Sequence, residues 1–174
     1  MLPFSRVTII GLGLIGSSIA RAVREHMPTA RVTGYDGDPG VRERSVVLGF
    51  CHDVADSAGA AVTDADLVIL CVPVGAIGTV AAEFAADLPA DCIVSDVGSS
   101  KAGVAAALIE ALPGIGIVPA HPVAGTEHSG PEAGFASLFH DRWCIVTPCE
   151  ASTEGAVAQV SSFWERIGAK VELM

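Results

Sequence analysis

The chain has 174 residues, 51% hydrophobic and 17% charged, with a mean hydropathy of +0.53. That is too apolar for a disordered chain, and the length suits one domain with a sizeable core. Ten Lys and Arg against twenty Asp and Glu give a net charge of −10 spread along the sequence, which repels phosphate backbones and anionic lipid and excludes nucleic acid and membrane surfaces as expected partners.

The first residues, MLPFSRVTIIG, run straight into a strand-like segment. They lack the charged start and cleavage site of an export signal, and their apolar stretch is too short to span a bilayer. Five cysteines, Cys51, Cys71, Cys92, Cys144 and Cys149, contain no CxxC pair and leave one over in any disulfide scheme, which fits a reducing, cytoplasmic setting.

Val7 to Ile10 reads as a strand and Gly11 to Gly16 as a glycine-rich turn into a helix from about Leu14 to His26, stopped by Pro28. A GxGxxG between strand and helix is what a dinucleotide site requires. Gly11 permits the tight turn, Gly13 lets backbone approach a pyrophosphate, and Gly16 allows close helix packing. Free N–H groups at the helix start, at Leu14, Ile15 and Gly16, would hold the phosphates.

Strand two is Arg31 to Asp36. An acid there accepts hydrogen bonds from the adenosine ribose hydroxyls and repels a 2′-phosphate, which favours NAD over NADP. The alternative is that Asp36 only starts the turn, with Arg42 and Arg44 near enough in sequence to compensate a phosphate. Asp38 and Pro39 read as N-cap and first-turn proline of a short helix through Leu48, closed by Gly49. Phe50 to Thr63 has no decisive pattern.

Asp66 to Val72 has the composition of a strand buried on both faces, closed by Pro73 before an Ala-rich helix to about Leu88. Val72 and Pro73 would border a cofactor with apolar surface. Cys92 to Val97 repeats the strand pattern, and Ser99 or Ser100 could cap a helix reaching Leu112. Asp96-Val-Gly-Ser-Ser-Lys101 offers two hydroxyls and an ammonium at a helix start, suited to an anionic or hydroxylated ligand; its bland reading is a serine cap with a solvated lysine.

Gly116 to Ala120 and Trp143 to Thr147 are further strands, Thr153 to Ile167 a helix, and Lys170 to Leu173 either an edge strand or the start of a further segment. Strands alternating with helices imply an α/β fold, a doubly wound and mostly parallel sheet of the Rossmann type, with ligands beyond the carboxyl ends of the strands. There lies His121-Pro-Val-Ala-Gly-Thr-Glu-His-Ser-Gly130, a turn-rich polar loop. His121 is its leading general base, since a neutral imidazole can take a hydroxyl proton near neutral pH; the competing reading is a structural, hydrogen-bonded histidine. No His pair has metal-ligand spacing and the cysteines are scattered, so no metal site is expected.

GLGLIGSS, the Asp36 strand end, CVPV, DVGSSK and HPVAGTEHSG, followed by the aromatic-rich Phe135 to Trp143 and by CIVTP, resemble the prephenate and arogenate dehydrogenases of tyrosine biosynthesis. The resemblance implies oxidation of a 4-hydroxycyclohexadiene at C4, hydride passing to NAD(P)+, and loss of the ring carboxylate as CO2 to give 4-hydroxyphenylpyruvate or tyrosine. It assigns His121 the catalytic base, Ser99 the orientation of the substrate hydroxyl and histidine, Thr126 a place beside the substrate, and Glu127 an ion-pair gate at the pocket mouth.

It also implies an all-helical domain after the nucleotide-binding domain, forming a homodimer and supplying an arginine for the substrate side-chain carboxylate. Lys101 and Arg142, the cations near the site in sequence, do not match that arginine. Residues 1–174 are therefore expected to be a single NAD(P)-binding domain, the cofactor-binding part of a longer enzyme, weakly active or inactive alone, with the surface that the helical domain would cover exposed. The other readings are a nucleotide-binding regulatory module, which has no use for the HPVAGTEHSG loop, and another dehydrogenase or imine reductase of a small acid, which would lack the pairing of Ser99 with His121.

Overall fold

The computed structural model describes residues 3–174; Met1 and Leu2, where the reading of an absent export signal begins, lie outside the described residues. Strand β1 (Arg6–Ile10) passes through the glycine turn into helix α1 (Leu14–His26), followed by β2 (Arg31–Tyr35) and α2 (Pro39–Leu48). Asp38 caps α2 by accepting from the Gly40 N–H at 2.7 Å, and Gly49 ends it in the left-handed region at φ 68°. The undecided stretch becomes β3 (Asp53–Val54) and α3 (Ala58–Val62), the latter capped by Ser57. Elements of two and five residues are too short to display a period.

Next come β4 (Leu67–Leu70), α4 (Ile77–Phe84), β5 (Ile93–Asp96) and α5 (Lys101–Ala111). Single 3₁₀ turns at Val74–Ala76 and Ala85–Asp87 flank α4, so the helix expected between Pro73 and Leu88 is α-helical only in its middle. The chain then forms β6 (Gly116–Ile117), β7 (Ala120–Pro122), β8 (Trp143–Val146), α6 (Glu154–Arg166) and β9 (Lys170–Leu173).

Six parallel strands build one sheet in the order β3-β2-β1-β4-β5-β6. Val7 stands opposite Val32 on one side and Leu67 on the other, and the winding reverses between β1 and β4, which opens a crevice at their carboxyl ends. Alternation along the strands sends neighbouring residues to opposite faces. Ile9, Leu67 and Ile69 pack with α1 and α6, whereas Ile10, Val68, Leu70 and Val94 pack with α3, α4 and α5. These side chains are at most 1% exposed; truncating one, as in Leu67→Ala, costs about 2–5 kcal/mol through lost transfer energy and a cavity.

The expectation of one strand over Gly116 to Ala120 is corrected. Val118 N–H still donates to Val94 O at 2.9 Å, but Ala120, the next residue facing β5, donates to the Asp96 side chain instead of a main-chain carbonyl, while Pro119 O accepts from Thr147 N–H at 3.0 Å, so the chain leaves the first sheet there. Ala120 to Pro122 instead starts a second, three-stranded sheet of order β7-β8-β9, in which β8 runs antiparallel to β7 and parallel to β9. Lys170 to Leu173 is thus an edge strand. The core on the α1 side continues into this sheet through Val118, Ala120, Cys144 and Val146, against Val160, Phe163 and Trp164 of α6. Among the described residues no helix is long and apolar enough to cross a membrane.

Candidate active site

The three turn glycines have different surroundings. Gly11 has φ +96°, and a Cβ there would lie 2.5 Å from Cys71 O, so both backbone and space require glycine. A Cβ on Gly16 would overlap the Gly11 carbonyl oxygen. A Cβ on Gly13 would meet nothing within 4 Å, so no contact inside the chain demands glycine there. Gly13 is also the N-cap of α1 and no side chain caps that helix, which leaves the first-turn N–H groups, including those of Leu14 and Ile15, without a side-chain acceptor. Open space over uncapped N–H groups at a helix's positive end fits a bound pyrophosphate.

Asp36, one residue past β2, holds this turn in place. Its Oδ2 accepts from Leu12 N–H at 2.8 Å and its Oδ1 from Asp38 N–H at 2.9 Å. The ribose role and the turn role are therefore compatible, because each carboxylate oxygen keeps a second lone pair. A cleft of about 310 Å³ opens here, lined by Ile10, Gly11, Tyr35, Asp36, Val72 and Val80 among others. Pro73, also expected to border a cofactor, is exposed and leads into the 3₁₀ turn Val74–Ala76. Arg42 donates to Asp36 O at 2.8 Å and lies 5.6 Å from the Tyr35 ring centroid, while Arg44 pairs with Glu132 at 2.9 Å.

His121 lies in the middle of β7, half-buried, beside an open cleft of about 400 Å³ that Arg142 also borders. Its Nδ1 is 3.3 Å from Val97 O. A carbonyl only accepts, so Nδ1 carries the proton, and in the neutral ring Nε2 has the free lone pair that a base needs. Among the described residues no hydrogen bond joins Ser99, Thr126 or Glu127 to His121. Ser99 is exposed two residues beyond Val97. Thr126 Oγ1 accepts from His128 N–H at 3.1 Å, and Glu127 lies 3.3 Å from His128 on the exposed arch of the loop.

The DVGSSK segment bears out one expectation and corrects another. Ser100 is the N-cap residue of α5, although its side chain accepts no hydrogen bond there. Lys101 is neither solvated nor offered to a ligand, since its side chain is 15% exposed and its Nζ lies 2.5 Å from Oδ2 of the fully buried Asp96. Burial pushes the Asp96 carboxyl up and the Lys101 ammonium down, each opposed by the partner's charge. The sequence reading missed Asp96 as a part of the site. The available signal was an acid at the end of an apolar strand, which must be paired once buried.

The family model for the nucleotide-binding domain of prephenate dehydrogenase matches residues 19–173. The chain is 47% identical, over all of its 174 residues, to a cyclohexadienyl dehydrogenase of Zymomonas mobilis, of which it covers 59%. The crystal structure of a prephenate dehydrogenase from A. aeolicus in complex with hydroxyphenyl propionate and NAD+ is similar with a TM-score of 0.90 and 30% identity, over 98% of this chain and 59% of that one. That of Synechocystis arogenate dehydrogenase is similar with a TM-score of 0.89 and 25% identity, over 97% and 59%. The chain thus spans 59% of the length of each of these three proteins.

Proposed function

The chain belongs to the prephenate dehydrogenase family, matching its nucleotide-binding domain, and from that premise we propose that residues 1–174 are a single NAD-binding domain serving the oxidative decarboxylation of prephenate, arogenate or both. The observation that carries this reading is the setting of His121: a ring with Nδ1–H on Val97 O, at the sheet's carboxyl end, beside an open cleft.

Gly11, Gly13, Gly16 and the N–H groups of Leu14 and Ile15 would hold the pyrophosphate, Asp36 the adenosine ribose, and Val72 the apolar border, with Pro73 beside it. NAD is favoured over NADP because the carboxylate of Asp36 meets a 2′-phosphate with like charge. When bound, NAD+ supplies the acceptor for hydride from ring C4. His121 Nε2 receives the proton of the C4 hydroxyl as the C4–H electron pair leaves, which stabilises the forming ketone. The C–C bond to the ring carboxylate then breaks, CO2 departs, its electron pair aromatises the ring, and the resulting phenolate takes back the proton held by His121. Ser99 orients the hydroxyl and the imidazole, Thr126 sits beside the substrate, and Glu127 on its exposed arch gates the mouth.

Val123, Trp143 and Ile145 form an apolar outer surface on the second sheet, with Val123 50% and Trp143 52% exposed. We assign this face to the helical dimerisation domain, which would supply the cation for the substrate side chain. Calorimetric titration with NAD+ and NADP+, then with prephenate and arogenate on the NAD-saturated chain, tests the proposal. NAD+ binding with neither substrate bound is the expected result; failure to bind NAD+ would overturn it, and substrate turnover to NADH would overturn the need for a second domain.

A further inference from the structure

Along β7, Thr147 N–H donates to Pro119 O at 3.0 Å and Val123 N–H to Trp143 O at 2.7 Å. Residues facing the β8 ladder therefore alternate, and Ala120 turns its N–H and C=O to the opposite edge, toward the end of β5. Ala120 is fully buried, so those two groups need partners. They find them in one ion pair: Asp96 Oδ1 accepts from Ala120 N–H at 3.3 Å, and Lys101 Nζ donates to Ala120 O at 2.7 Å. The pair is closed by the 2.5 Å contact of Lys101 Nζ with Asp96 Oδ2, which also accepts from Gly98 N–H at 2.8 Å. The residue after Ala120 is His121, and its Nδ1–H is received by Val97 O, one residue after Asp96.

We propose that the buried Asp96–Lys101 pair is a positioning device for His121: it grips the peptide groups of Ala120 against the end of β5, which brings Nδ1 within reach of Val97 O and leaves Nε2 as the basic nitrogen. Neither side chain touches the substrate, and Lys101 is not an anion site. The inference rests on the reading of His121 as the base, but the placement of the ring is testable without it. A buried ion pair is weak evidence for net stability, because desolvation offsets much of the attraction. Here it satisfies two backbone groups that the second sheet leaves open, at the residue preceding the base.

The test is side-chain ¹⁵N NMR of the histidines in the 174-residue chain. In the native sequence His121 is expected as the Nδ1–H tautomer alone. Lys101→Met is expected to release the ring into a mixture with the Nε2–H form while amide dispersion stays native. Asp96→Asn/Lys101→Met, which leaves no unpaired buried charge, is expected to do the same. If either variant folds and His121 remains wholly Nδ1–H, the proposal is overturned; if no variant of the pair folds, the pair is a determinant of the fold and the proposal also falls. In the whole enzyme Lys101→Met is expected to lower kcat about a hundredfold with KM for NAD unchanged, as for a misplaced base. Loss of tautomer control together with an active His121→Asn enzyme would mean that the clamp is real and the base lies elsewhere.

Discussion

The backbone N–H of Phe135 donates to Ser18 Oγ at 3.1 Å, joining positions 117 apart in the chain. Beside this bond Gly134 lies against α1 so closely that a Cβ would overlap Ser17 Oγ and come within 2.6 Å of Arg21 Nη1. The loop after His121 is thus strapped to the helix that follows the glycine turn, while its arch from Val123 to Ser129 remains mostly exposed.

Gly134→Ala is expected to lift the strap, lowering stability by about 1–3 kcal/mol as other overpacked sites do. Ser18→Ala, which only removes one acceptor, is expected to cost about 1 kcal/mol. Urea denaturation of both variants checks the order; a neutral Gly134→Ala would contradict the close approach.

Gly13 and Gly16 are expected to separate binding from folding. Gly13→Ala places its methyl in open space, costing about 1 kcal/mol or less at a helix N-cap, yet it stands where the pyrophosphate would lie and should weaken NAD+ at least tenfold. Gly16→Ala forces a methyl onto the Gly11 carbonyl and should destabilise the fold itself. Calorimetry beside thermal denaturation distinguishes them, and equal stability losses would refute the assignment.

Asp36→Ala removes the proposed ribose acceptor together with the bonds to Leu12 and Asp38. Binding of both nucleotides should fall, each lost charged hydrogen bond being worth about 1.5–3 kcal/mol. NAD+ should lose more than NADP+, because the like-charge penalty on a 2′-phosphate is relieved at the same time. Equal losses would leave Asp36 a turn residue only.

His121→Asn in the whole enzyme should cut turnover about 10²–10⁴-fold, the usual range for a general base, while NAD+ affinity stays within twofold or so. A large loss of NAD+ binding would count against the role as substrate base.

Alkali should unfold the chain through its thiols. Burial pushes Cys51, Cys92 and Cys144 up to about 12 from an ordinary 9.0. Between those values the unfolded chain has released protons that the native state retains. The contribution is therefore complete below about pH 9 and is lost as pH rises toward 12, at about 1.4 kcal/mol per pH unit for each thiol. Urea midpoints measured across this window would show it, and a flat profile would sink it.

The order of elements around the switch point, the glycine turn and the α2 cap were legible because each is a local matter of period, turn chemistry or capping. The fold class followed from them, and the family from the HPVAGTEHSG loop together with the other strand-end motifs. β3 and α3 were not legible, since they are shorter than the pattern that would reveal them, and Gly116 to Ala120 reads as one strand because its apolar composition does not change where the chain passes from the β5 ladder to β8.

Sequence by itself determined which residues are apolar on alternate positions, where the chain must turn, and that a histidine, a serine and an acid follow strand ends. Those facts are fixed within a few residues of one another, where sterics and hydrogen bonding act directly. Only tertiary structure decided that Lys101 belongs to Asp96, that His121 Nδ1 meets Val97 O, and that Thr126 and Glu127 stand apart from that ring on an exposed arch. Each depends on how β5, β7 and α5 meet, and burial then made the partnerships obligatory, because a charge or peptide group taken from water must find its partner among whatever the fold brings near.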